Sequence, residues 1–216
     1  LKKHKGAKKS AGDAPNRGSG QTDSADRPST FVRWLGRGDL RSDGQANEVA
    51  ALVTQQPELL PDLVDALRSG DPATRGHAAD ALEKFARSHP GALEAFLPSL
   101  ISAATRDEVG MVRWHLAMVF GHTAMISETV DASTEALLEL LTDKNALVRS
   151  WAITSLCIIS RLHSKHTRAI VEAVSRMKRD RSAAVAKRAS RAIELMTIPA
   201  LPFPKGWIKS RHIRSI

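Results

Sequence analysis

One pattern is written twice in this chain, and it constrains the fold more than any other feature. Val112-Arg113-Trp114-His115-Leu116-Ala117 opens one helical stretch, and Val148-Arg149-Ser150-Trp151-Ala152-Ile153 opens another. The two arginines lie 36 residues apart. Between them sit a leucine-rich helical stretch and a turn headed by an aspartate. A fixed period of roughly 20–50 residues is the signature of a stacked repeat array rather than a closed bundle. Other markers keep the same step. The turn aspartates Asp71, Asp107, Asp143 and Asp180 are separated by 36, 36 and 37 residues, and Pro61 and Pro98 by 37. Asp39 lies 32 residues before Asp71 and is the candidate equivalent in a degenerate first unit.

Apolar residues within each unit recur three and four apart, as in Leu59, Leu60, Leu63, Val64 and Leu67, which predicts amphipathic helices. Asp71 followed by Pro72 reads as an N-cap with proline at the first helical position. No single helix pair can bury its apolar face alone, so successive pairs must stack. Ala78, Ala152 and Ala189 are small enough to let second helices approach closely. Leu82, Phe120, Leu156 and Ile193 are expected to fill the space between layers.

These residues resemble the HEAT repeats of the armadillo-like helical solenoids, over roughly residues 57–197 and more weakly back to 31. The family unit is two antiparallel helices, with a proline in the first, an aspartate in the turn and a Val-Arg pair opening the second. Here the proline is Pro61 and Pro98, and the pair is Val112-Arg113 and Val148-Arg149. Asp107 and Asp143 each stand six residues before their arginine. The resemblance implies a ladder of turn aspartates and arginines along the stack. The second repeat departs from the pattern, carrying Thr74-Arg75 at shorter spacing, and the last has Val185-Ala186 with no arginine. The expected fold is all-α, a right-handed α-α superhelix of about four HEAT-like pairs behind a degenerate cap. The units are assigned to residues 31–56 (cap), 57–88, 91–126, 127–164 and 165–197. Residues 1–30 are basic and polar with almost nothing apolar, and read as a disordered leader. Residues 198–216 form a basic tail in which Pro199, Pro202 and Pro204 favour extended backbone. In that tail Phe203, Trp207, Ile208 and Ile213 are apolar enough to dock, on the last repeat or on a partner.

Charge is polarised along the chain. Residues 28–160 hold 17 Asp and Glu against 11 Lys and Arg, whereas residues 161–216 hold 3 against 14. A basic end of this kind suits an anionic partner such as nucleic acid, phospholipid or an acidic protein. The only cysteine, Cys157, excludes an internal disulfide and fits a reducing compartment, so a cytoplasmic location is the default. No apolar run is long enough to span a bilayer.

In a HEAT-like stack the second helices line the concave face. Counting from the Arg75, Arg113, Arg149 and Ala186 positions, the residues two further on are His77, His115, Trp151 and Arg188, and those five further on are Asp80, Met118, Thr154 and Arg191. These two columns are expected to form a binding stripe, since exposed aromatics and arginines dominate interface energetics. Arg161, Lys165, Arg168, Arg176, Lys178, Arg179, Arg181 and Lys187 form a candidate basic patch. No nucleotide loop, nucleophile elbow or HExxH pattern occurs. The pairs His163/His166 and His115/His122 lack the further ligands that zinc requires, and no metal or cofactor is expected. The function read from the sequence is a non-catalytic scaffold that engages a protein partner through its concave face. The runner-up is nucleic-acid binding through the basic repeat and tail. Its enzymatic form would be similar to the alkylpurine DNA glycosylases, whose catalytic motif cannot be placed residue by residue on this chain.

Overall fold

A computed structural model describes residues 30–42 and 44–213. The leader read from residues 1–29 therefore lies outside the described residues. Every regular element among them is helical: α1 Thr30–Leu35, α2 Ala46–Gln55, α3 Leu60–Asp65, α4 Pro72–Ala86 and α5 Leu97–Arg106, followed by α6 Gly110–His122, α7 Val130–Leu140, α8 Ala146–Leu162, α9 Ser164–Arg176 and α10 Ala183–Thr197. The even-numbered helices α2, α4, α6, α8 and α10 pack in sequence as one layer. The odd-numbered helices α3, α5, α7 and α9 pack against them and form the other layer. The result is an α-α superhelix.

The start of α4 shows how local chemistry fixes an element. Asp71 accepts hydrogen bonds from the Thr74 amide at 2.8 Å and the Thr74 hydroxyl at 2.6 Å, and Pro72 fills the first turn. The cap satisfies an amide that has no partner inside the helix. Those same Thr74 bonds hold the Asp71 carboxyl below the usual carboxylate range.

The ladder runs through three successive rungs, from Arg75 to Asp180. Arg75 donates to Asp107 at 2.8 Å, Arg113 to Asp143 at 2.6 Å, and Arg149 to Asp180 with two bonds of 2.8 Å. Each arginine also donates to a carbonyl of its own turn: Ser69, Asp107 and Asp143 respectively. Each of the three aspartates accepts in addition from the amide two residues on: Val109, Asn145 or Ser182. The shorter spacing at Arg75 does not break the run, because Ser69 rather than the turn aspartate supplies the near carbonyl. Asp71 stands outside the ladder and keeps its capping role.

Between neighbouring helices of the even layer, close approach is set by small side chains. Ser155 donates across to the Ala117 carbonyl at 2.7 Å, and a Cβ at Gly121 would fall 2.6 Å from the Ser155 hydroxyl oxygen. Glycine at 121 therefore sets the α6–α8 distance. Leu82, Phe120 and Leu156 are fully buried, as expected for residues that fill the space within the stack. Ile193 is only partly buried, and Ala192, Leu195 and Met196 take the inner positions of the final helix.

Candidate binding face

The even-helix face carries the two predicted columns, and their members divide. His77 is fully buried, with Nδ1 2.6 Å from the Leu35 carbonyl and Nε2 3.1 and 3.0 Å from the Asp39 and Ser42 carbonyls. The expectation that it lines an open groove is corrected: the residue pins the cap's turn onto α4. Gly44 belongs to the same arrangement, since its φ is +53° and a Cβ there would come 2.6 Å from the His77 ring. Met118 and Thr154 are buried as well. A helix with neighbours on both sides and a partner beneath keeps only a narrow free strip, and position 118 falls outside it.

His115, Trp151, Arg188 and Arg191 remain half-buried on that face, whereas Asp80 is buried, against the expectation for its column. Asp80 pairs with Lys84 at 2.8 Å and lies 3.4 Å from His115. Burial holds the His115 imidazole below its ordinary pKa against the pull of the nearby Asp80 and Glu83 charges. Glu83, which the sequence reading did not single out, is the buried centre of this cluster. Burial alone would raise its carboxyl, yet hydrogen bonds and charge from His122 and Arg87 outweigh that and bring it to about 2.

Arg188 joins the cluster to the C-terminal segment. It donates to the Thr154 hydroxyl at 2.8 Å and lies 5.0 Å from the Trp151 ring centre and 5.2 Å from that of Trp207. Lys209 meets the Trp151 ring at 5.1 Å. Two indoles and two cations are thus assembled at cation–π distance. Burial moves both cations below their ordinary pKa, with Glu83 and Asp80 pulling Lys209 the other way.

The segment after α10 crosses the even-helix face against the order of the repeats. Arg161 donates to the Leu195 and Leu201 carbonyls at 3.2 Å and sits 5.2 Å from the Phe203 ring centre. The chain turns at Gly206, where φ is +85°, and passes Arg188 and Trp151. It then reaches the C-terminal end of α4. There the Arg211 amide donates to the Arg87 carbonyl at 3.0 Å, and His212 Nε2 lies 2.7 Å from the Ser88 carbonyl. Ser210 and Ile213 are buried, whereas Phe203, Trp207, Ile208 and Lys209 are half-buried. Docking by the apolar tail residues was legible in the sequence; the path back to the second repeat was not.

Members of the predicted basic patch divide in their contacts. Arg161 is committed to the tail, Lys165 pairs with Asp131 at 2.7 Å, Arg176 with Glu172 at 2.9 Å, and Arg181 donates to the Lys144 carbonyl. Arg168, Lys178, Arg179 and Lys187 are exposed at the final pair. The histidine pairs are likewise divided: His163 contacts the Ala124 carbonyl and His166 contacts Asp131. Among the described residues no group of three His, Cys, Asp or Glu is placed to hold a metal. No helix among them is long and apolar enough to cross a membrane. Cys157 is buried, which pushes its thiol up to about 12.

Comparison with known proteins agrees with this architecture. A family model described as HEAT repeat matches residues 134–163, which cover most of α7 and all of α8. No curated protein matches the chain. Among solved structures, an engineered protein superimposes with a TM-score of 0.60 at 20% identity, over 78% of this chain and 80% of its own. A second engineered protein gives 0.56 at 21%, over 77% and 78%. Computationally designed armadillo repeat proteins for modular peptide recognition give 0.60 at 17%, over 77% and 81%. With its 36-residue step, its aspartate–arginine ladder and these likenesses together, the chain has the fold of a HEAT- or armadillo-like helical solenoid and carries a matched HEAT repeat at residues 134–163.

Proposed function

We propose that this chain is a non-catalytic scaffold that binds a protein partner through its concave face, the wall of even-numbered helices, in a reducing compartment such as the cytoplasm. The observation that carries the reading is the half-buried Trp151–Arg188 pair, which already holds an extended polypeptide segment. Tryptophan and arginine are the residue types that anchor protein interfaces. Extended peptides gain specificity by placing successive side chains on such anchors. The designed armadillo proteins that share this architecture are described as built for modular peptide recognition, which supports the same use here.

Site-specific photocrosslinking in the source cells tests the reading. A crosslinking residue at Arg191, on the even-helix face, is expected to trap a discrete partner protein. One at Glu172, exposed on α9, is expected not to. Trp151→Ala should abolish the Arg191 adduct. Trapping from position 172 alone, or an Arg191 adduct indifferent to Trp151→Ala, would refute concave-face binding.

A further inference from the structure

We propose that residues 201–213 are a tethered ligand of the even-helix face, and that the partner reaching this face carries an extended segment of the same chemistry: an aromatic ring followed by lysine or arginine at alternate positions. This rests on the scaffold reading above and specifies its partner.

Three features support it. The segment has neither helix nor strand, and its backbone at Arg211 bonds to the open C-terminal end of α4, where carbonyls lack intrahelical partners. Any extended chain can make that bond in the same way. Its side chains meet rings and charges as well as the core, which Ile213 joins and which Phe203, Trp207 and Ile208 pack against. Trp207 stacks with Arg188, Lys209 lies over Trp151, and the buried acids Asp80 and Glu83 supply complementary charge. The segment is also incompletely buried: Ser210 and Ile213 are sealed, but Phe203, Trp207, Ile208 and Lys209 keep solvent contact. A strap integral to the core would bury its largest rings.

A short tether gives the segment an effective concentration in the millimolar range, so a free partner competes at a disadvantage until the segment is displaced. Occupancy in cis lowers apparent affinity by the fraction of molecules that are open.

The test uses a fluorescein-labelled synthetic peptide with the sequence of residues 199–213, titrated into the full-length chain by anisotropy. Trp207→Ala should bind it about 10-fold more tightly than the unaltered chain, because the segment in cis is weakened. Adding Trp151→Ala should remove that binding. If Trp207→Ala changes the helical circular dichroism melt, Lys209→Glu serves instead. A disulfide formed between Arg87→Cys and Arg211→Cys should block the peptide until reductant is added. Equal binding by the unaltered and opened chains, or none by either, would overturn the proposal. Failure of the peptide alongside a Trp151-dependent Arg191 crosslink would remove the tethered ligand and leave the scaffold. Peptide binding without any crosslink would do the reverse.

Discussion

Arg149→Ala, a change in the first turn of α8, should destabilise the last helix pair. Arg149 and Asp180 are 4% and 7% exposed and share two 2.8 Å bonds, and Arg149 also donates to the Asp143 carbonyl at 2.6 Å. Removing one partner of a buried pair strands the other charge, typically at a cost of about 3–5 kcal/mol. Asp180 keeps the bond from the Ser182 amide, which places the expected loss near the lower end, about 3 kcal/mol. Arg68 and Asp65 form the control, at 77% and 60% exposure; Arg68→Ala should cost no more than about 1 kcal/mol. Urea unfolding gives the two values, and a double-mutant cycle with Asp180→Ala isolates the pair. Hydrogen exchange should show the loss concentrated in α9 and α10, because stability in a stack is carried by neighbouring interfaces. The pair also predicts a pH signature. The hydrogen bond from Arg149 holds the Asp180 carboxyl below its ordinary value. The unfolded chain therefore binds the proton first, and the contribution is complete above about pH 4 and disappears as pH falls through the folded value. Arg149→Ala should erase that part of the acid dependence. A cost under about 1 kcal/mol with no coupling to Asp180 would refute the ladder as a structural tie.

Further expectations follow from single contacts. Gly121→Ala drives a methyl to within 2.6 Å of the Ser155 hydroxyl, and thermal unfolding should report a loss of about 1–3 kcal/mol from overpacking. His77→Ala leaves the Leu35, Asp39 and Ser42 carbonyls without their buried partner. It should cost about 1–3 kcal/mol, with limited proteolysis cutting the α1–α2 turn sooner than α8. Cys157, with its thiol at about 12 and no exposure, should react with a thiol reagent only at the rate of unfolding; rapid native labelling at pH 8 would contradict its place in the α8–α10 seam.

Much of the fold was legible because its determinants are periodic. Aspartates at 71, 107, 143 and 180 mark the turns, and the arginines at 113 and 149 read directly as ladder members. Arg75 is less visible, since the six-residue spacing fails there and only the structure shows Ser69 taking the near-carbonyl role. The binding columns were legible in register and not in exposure. Spacing places His77 and Trp151 at one helical position, but the cap's turn descends onto His77 and seals it, while Trp151 meets the cations of Arg188 and Lys209 and stays half-buried. Glu83 was missed because its i,i+4 pairing with Arg87 reads as an ordinary exposed helix pair, and its buried partner His122 comes from α6, 39 residues on. The tail's course depends on contacts such as His212 to Ser88, 124 residues apart. A pairing of that range leaves no periodic trace.

The decisive contact is that of the C-terminal segment, which lies across the even-helix face and bonds to the end of α4. Amide hydrogen exchange at Arg211 in the full-length chain measures this directly, because that amide sits in no regular element and its partner is the Arg87 carbonyl. Protection of about 100-fold or more over an unstructured amide is expected, lost in Trp207→Ala while α8 stays protected. Exchange of the Arg211 amide at the unstructured rate in the unaltered chain would contradict it.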